Sequence, residues 1–183
     1  MIFLLNKETS GSGLHLSNLR SCKIIQSRFY GNIAIQSGGG LYIKSCDRIY
    51  IIFTILQKNQ AVFEGGGLFI GMQKLSGSLE TVVIMSCKFV PNIAEKSGMA
   101  FSSIGSSFFL LYKSNISINV MKVSSVTNIK AEYIEIRNSA FRDILAETLL
   151  IESAIGFRVH YQNNKFACPK CTYLNEKSDT KIG

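Results

Sequence analysis

Several things this chain lacks narrow what it can be. It has no Trp and only 2 Pro in 183 residues, and charged side chains make up just 17% of it. Little charge beside much Ile, Val, Phe and Ser excludes a disordered tail and favours a β-rich body. No apolar run approaches the ~18 residues of a membrane span. The apolar start Ile2, Phe3, Leu4 and Leu5 is too short for a signal-peptide core and has no small-residue cleavage pattern behind it.

Reactive groups are equally sparse. The aspartates are Asp47, Asp143 and Asp179, with no Asp-Asp pair and no Asp-x-Asp. The two histidines, His15 and His160, have no acid beside them in sequence. Glu8, Glu64, Glu80 and Glu95 are scattered, whereas glycoside hydrolysis and metal-assisted elimination need grouped carboxylates. The sequence therefore names no catalytic residue, metal or cofactor. A formal charge of +8 is spread from Lys7 to Lys181 without a basic run, which reads as a solvated surface rather than a nucleic-acid footprint. Arg28 and Lys88 share a repeat position, but Ile55 interrupts the row.

What the chain has is a repeat. Phe29, Asn32, Ala34, Gly38, Gly39, Gly40, Leu41 and Ile43 recur as Leu56, Asn59, Ala61, Gly65, Gly66, Gly67, Leu68 and Ile70, each 27 residues on. Upstream, Phe3, Asn6, Gly13 and Leu14 state the same phrase with one residue deleted. Downstream come Phe89, Asn92 and Ala94, delayed by six residues that the polar stretch 73–78 accounts for, then Asn119 at a further 27. A degenerate copy around Phe141 and Ala146 loses the Asn, as terminal repeats do. A chain that opens partway through a repeat is expected to be a fragment of a longer one.

Each repeat holds three short β-branched or aromatic segments bounded by Gly, Ser or Asn, which predict strands. Three strands per 27 residues predict a parallel β-helix of about five coils over residues 1–155, followed by a C-terminal tail over 156–183. The predicted columns are chemically uniform: small residues at Ser27, Thr54, Cys87, Ser114 and Ser139, aliphatic ones at Ile24, Ile51, Ile84, Leu111 and Ile136. Alanine or Met fills a third, at Ala34, Ala61, Ala94, Met121 and Ala146, and His15 shares a strand position with Tyr42 and Phe69.

The row Asn6, Asn32, Asn59, Asn92 and Asn119 is expected to be a structural ladder, with Asn taking the left-handed backbone of a tight corner and bonding its copy one coil away. The triplets Gly38, Gly39, Gly40 and Gly65, Gly66, Gly67 are expected to be corners with φ > 0 and close coil approach. A phosphate loop is excluded, because no Lys-Ser/Thr follows them. Cys22, Cys46 and Cys87 fall in non-equivalent columns and predict no ladder, with Cys87 a buried small residue. Cys168 and Cys171, spaced CxxC, read as a disulfide-bonded first pair of a cysteine-rich module, or as a weak metal pair with only His160 nearby. Asn115 opens one N-glycosylation sequon.

Phe3-x-x-Asn6, Phe29-x-x-Asn32 and Phe89-x-x-Asn92, alternating with the two Gly-Gly-Gly-Leu phrases, resemble the repeats of polymorphic outer-membrane proteins. The trailing Cys168 and Cys171 are similar to the cysteine-rich modules that follow such repeats in large ciliate surface proteins. The resemblance implies a right-handed, pectin-lyase-like parallel β-helix at the cell surface or outside the cell, on a parent protein that is membrane-anchored. It implies a structural, adhesive or display role, with a protein or glycan partner on a strand face. The alternative is a polysaccharide lyase or hydrolase whose carboxylates assemble across coils. The Asn-Thr-Asp, Asp-Asp and Gly-His-Gly motifs of the polygalacturonate-cleaving members are absent.

Overall fold

The computed structural model describes residues 1–72, 79–117, 125–142, 149–152 and 158–166. Among these there is no helix; the chain winds as a parallel β-solenoid of about five turns. The first turn carries β1 (Ile2–Leu4), β2 (Lys7–Glu8) and β3 (Leu14–Ile25), and the second β4 (Arg28–Tyr30), β5 (Ile33–Ala34) and β6 (Leu41–Ile52). In the third, β7 (Ile55–Gln57), β8 (Gln60–Ala61), β9 (Leu68–Gly71) and β10 (Thr81–Met85) follow. Beyond these lie β11 (Lys88–Val90), β12 (Ile93–Ala94), β13 (Phe101–Tyr112), β14 (Asn115–Ser117) and β15 (Ser125–Arg137). The last are β16 (Ala140–Arg142), β17 (Leu149–Glu152), β18 (Arg158–Gln162) and β19 (Lys165–Phe166).

Three sheets run up the stack. One is seven-stranded in the order β1-β4-β7-β11-β14-β16-β19, a second is the four-stranded β12-β8-β5-β2, and the third contains the long strands. Registers match the predicted columns: Ile24 faces Ile51, Ile51 faces Ile84, Ile84 faces Leu111, and Leu111 faces Ile136. Ala34, Ala61 and Ala94 likewise align, while Met121 and Ala146 lie outside the described residues. β10 pairs with both β6 and β13, so the six extra residues of the third turn leave the register intact on either side.

Two features depart from expectation. Segments predicted as separate strands, such as Leu14–Leu16 and Ile24–Ile25, are joined in single strands of 12 residues in β3, β6 and β13, and β15 runs unbroken for 13. These strands bend instead of ending: Asn18 and Ser45 take φ of 56° and 53°, and Gly105 forms a bulge between Ile104 and Ser106. Also, β18 pairs with β15 and β19 with β16, so stacked backbone continues past residue 155.

The core is a narrow column of self-stacked side chains. Phe29, Leu56, Phe89, Ile116 and Phe141 line one wall and are fully buried, with Phe3 stacked on Phe29 at 4.7 Å between ring centroids. Leu41, Leu68 and Phe101 form a buried column on the long sheet, and Phe101 meets Phe89 across the core at 5.1 Å between centroids. A solenoid buries its apolar face only against the next copy, so uniform columns are what hold it together.

Candidate functional site

The corner residues come first, because they decide which side chains remain available for function. Asn32, Asn59 and Asn92 are fully buried. The backbone N–H and the Nδ2 of Asn32 both donate to Asn59 Oδ1, at 3.1 and 2.9 Å, and Asn59 does the same to Asn92 Oδ1 at 3.1 and 3.0 Å. Each Nδ2 spends its other proton on a carbonyl of the preceding coil: Phe3 for Asn32, Phe29 for Asn59, Leu56 for Asn92. Asn6 starts the ladder by donating twice to Asn32 Oδ1, at 3.1 and 2.9 Å. An amide has two donors and two acceptor sites, and Asn32 and Asn59 fill all four. Asn119 lies outside the described residues.

The left-handed geometry is not where it was expected. None of the described ladder Asn has positive φ; the residue before Asn6, Asn32 and Asn59 does, in Leu5 (51°), Gly31 (65°) and Lys58 (55°), whereas Pro91 before Asn92 does not, its ring holding φ negative. The same holds before the small-residue column, at Gln26, Phe53, Ser86, Lys113 and Asn138. The left-handed residue turns the corner, and the next one points its polar group inward to bond the neighbouring coil. Thus Cys87 N–H donates to Ser114 Oγ and Ser114 N–H to Ser139 Oγ, each at 3.2 Å. Ser139 N–H donates to Asn164 Oδ1 at 2.8 Å, a further member of that column which the repeat alignment did not include.

In the glycine triplets only the first residue is left-handed: Gly38 at 69° and Gly65 at 65°. The others are held to glycine by space. A Cβ on Gly39 would lie 2.4 Å from the carbonyl oxygens of Gln60 and Gly66, and one on Gly66 would lie 2.2 Å from that of Ile93. Gly40 and Gly67 would meet the carbonyls of Gly67 and Ala100 at 2.7 and 2.5 Å. These glycines let coils touch; backbone, not a ligand, fills the space beside them.

What faces outward is a set of rows. His15, Tyr42 and Phe69 form a row up the long sheet: Tyr42 and Phe69 stack with centroids 5.1 Å apart, and His15 meets Tyr42 at 4.6 Å with its ring tilted by 58°. On the seven-stranded sheet Arg28, Ile55 and Lys88 align as the repeat predicted. There Arg28 and Lys58 both approach the Tyr30 ring, each 5.5 Å from its centroid. A cavity of about 330 Å³ lined by Ile2, Leu4, Leu5, Arg28 and Tyr30 opens beside that ring. The two cations edge the flat face of Tyr30, where the ring quadrupole attracts them.

Among the described residues, Glu135 pairs with the Arg137 guanidinium, and two other carboxylates are held by hydroxyls. Glu64 accepts from Ser102 Oγ at 3.1 Å, and the buried Glu80 accepts from Ser107 Oγ at 3.2 Å. Among the described residues no three of His, Cys, Asp and Glu gather as a metal site would require. Asn115 stands in β14, half-buried, with its Oδ1 enclosed and lacking a hydrogen-bond partner. Cys168 and Cys171 lie outside the described residues.

The internal cysteines differ from one another. Cys87 sits in the small-residue column, its Sγ 3.3 Å from the carbonyls of Ile51 and Met85, and burial pushes its thiol up to about 11. Cys22 and Cys46 meet, with Sγ atoms 2.7 Å apart in the core. Burial, reinforced by the neighbouring thiol, pushes Cys22 up to about 12. Non-equivalent columns hid this contact from the repeat alignment.

Taken together, the fold and its closed corner ladders define a β-solenoid whose free chemistry lies in outward rows. No protein-family model, curated protein or solved structure matches the chain.

Proposed function

We propose that this solenoid is a non-catalytic adhesive or display segment of an extracellular or cell-surface repeat protein, of the polymorphic outer-membrane-protein and pectin-lyase-like kind. The observation that carries the reading is the division of labour between corners and faces. Asn, Ser and Gly columns are consumed in stacking, while His15, Tyr42 and Phe69 form an outward row at regular spacing. This aromatic row, with Tyr42 and Phe69 stacked, offers a glycan or protein partner a repeated surface at little entropic cost, since the strand register already positions the rings.

The test is retention on immobilised neutral and acidic polysaccharides, with soluble products assayed alongside. The expected result is saturable binding without turnover, weakened at least tenfold in a Tyr42→Ala, Phe69→Ala double variant that keeps its β-sheet circular dichroism. Product formation that Glu64→Gln or Glu80→Gln abolishes would instead establish the carbohydrate-active enzyme.

A further inference from the structure

We propose that Cys22 and Cys46 are a disulfide-forming pair, a covalent modification site that staples the first coil to the second. The two Sγ atoms lie 2.7 Å apart and both side chains are buried, at 3% and 1% exposure. Closing that gap to the ~2.05 Å of a disulfide needs less than an ångström of movement. The backbone explains how residues in different columns meet. Cys22 pairs with Ile49 and Cys46 with Leu19, three register positions apart on β3 and β6. In β6 the inward positions run Cys46, Ile49, Ile51, so the strand turns between Cys46 and Ile49 where two residues, not one, point away from the core. The turn folds Cys22's column over Cys46.

The reaction needs an oxidant, and a small-molecule disulfide such as oxidised glutathione supplies one. One cysteine, as thiolate, attacks it, forming a mixed disulfide and releasing one glutathione thiol. The second cysteine gives up its proton, attacks the protein sulfur of the mixed disulfide and releases the second. Two electrons and two protons leave the cysteine pair, and one glutathione disulfide becomes two thiols. The raised Cys22 thiol makes this slow in the closed fold. Access comes through the end of the stack, where β3 hydrogen-bonds among described strands to β6 alone. Cys87 is the built-in control, because its sulfur faces carbonyl oxygens and no thiol.

The experiment uses the full chain carrying Cys168→Ser and Cys171→Ser, so that only the three internal cysteines are counted. It is treated with oxidised glutathione both folded and during refolding from urea, then alkylated and digested with trypsin. The expected product joins residues 21–23 to residues 45–48 and is two hydrogens lighter than the separate peptides, with Cys87 alkylated. The cross-link should raise the melting temperature by about 5–10 °C, reversibly with dithiothreitol, and Cys46→Ala should abolish the rise. If Cys22 and Cys46 remain separately alkylated after oxidative refolding, or if either links to Cys87 instead, the proposal is overturned.

Discussion

At the scale of single residues, stability is concentrated in the amides that fill all four hydrogen-bonding sites against the coils on either side. Asn59 is fully buried, donates to Asn92 Oδ1 and to the Phe29 carbonyl, and accepts from two Asn32 donors. Asn59→Leu keeps the volume and removes the partners. It strands the Phe29 carbonyl and both Asn32 donors at ~1–3 kcal/mol each, so chemical denaturation should show a loss of roughly 3–9 kcal/mol. That is a large part of the ~5–15 kcal/mol a domain has in total. Asn6 has the same neighbour on one side only and is exposed, so Asn6→Leu should cost no more than ~1 kcal/mol. Equal losses at the two positions would show that side-chain size, not ladder bonding, sets the cost.

At the scale of elements, the packing of coil on coil depends on where a Cβ is allowed. Gly66 has no positive φ to explain it; its constraint is the Ile93 carbonyl, 2.2 Å from where a Cβ would stand and part of a paired backbone that cannot yield. Gly66→Val should therefore separate the second sheet from the glycine corner and cost ~3 kcal/mol or more, at the upper end of overpacking penalties. Gly71→Ala is the contrast, since its Cβ would meet only the ring edge of Phe69 at 3.0 Å, and a melting temperature within a few degrees of the parent is expected. The element scale is also where the sequence was most readable. A 27-residue period with matching Ile, Ala, Asn and small-residue columns predicts parallel stacking, because only in-register copies keep like against like. Three things escaped it. The left-handed positions hold Leu5, Gln26, Phe53 and Lys58, which carry no turn signature, because the corner imposes the conformation on whatever stands there. The long strands pass through Asn18 and Ser45 by bending, and periodicity cannot distinguish a bend from an end. The Cys22–Cys46 contact arises from such a turn, so it crosses columns that a repeat alignment keeps apart.

At the scale of the whole molecule, each coil contacts only its two neighbours, so the stack should tolerate the loss of one complete turn. Removing residues 33–59 joins Asn32 to Gln60 and makes a hybrid coil. Asn32 then occupies the place of Asn59 below Asn92 while still accepting from Asn6. Phe29 takes the position of Leu56 against Phe89, and Leu68 that of Leu41 against Leu14. Every inward column keeps its own residue class, with Ser27 standing for Thr54 beside Cys87, so the shortened chain should keep a β-sheet spectrum and a single cooperative transition. The denaturant dependence of its unfolding free energy should fall by about 15%, in proportion to the 27 of 183 residues removed. Removing residues 33–45 alone deletes half a turn, sets Asn32 against no partner and shifts every later side chain out of its column. That variant should lose cooperative unfolding altogether. If the half-turn deletion folds as well as the full-turn deletion, register-specific stacking is not what holds the molecule together.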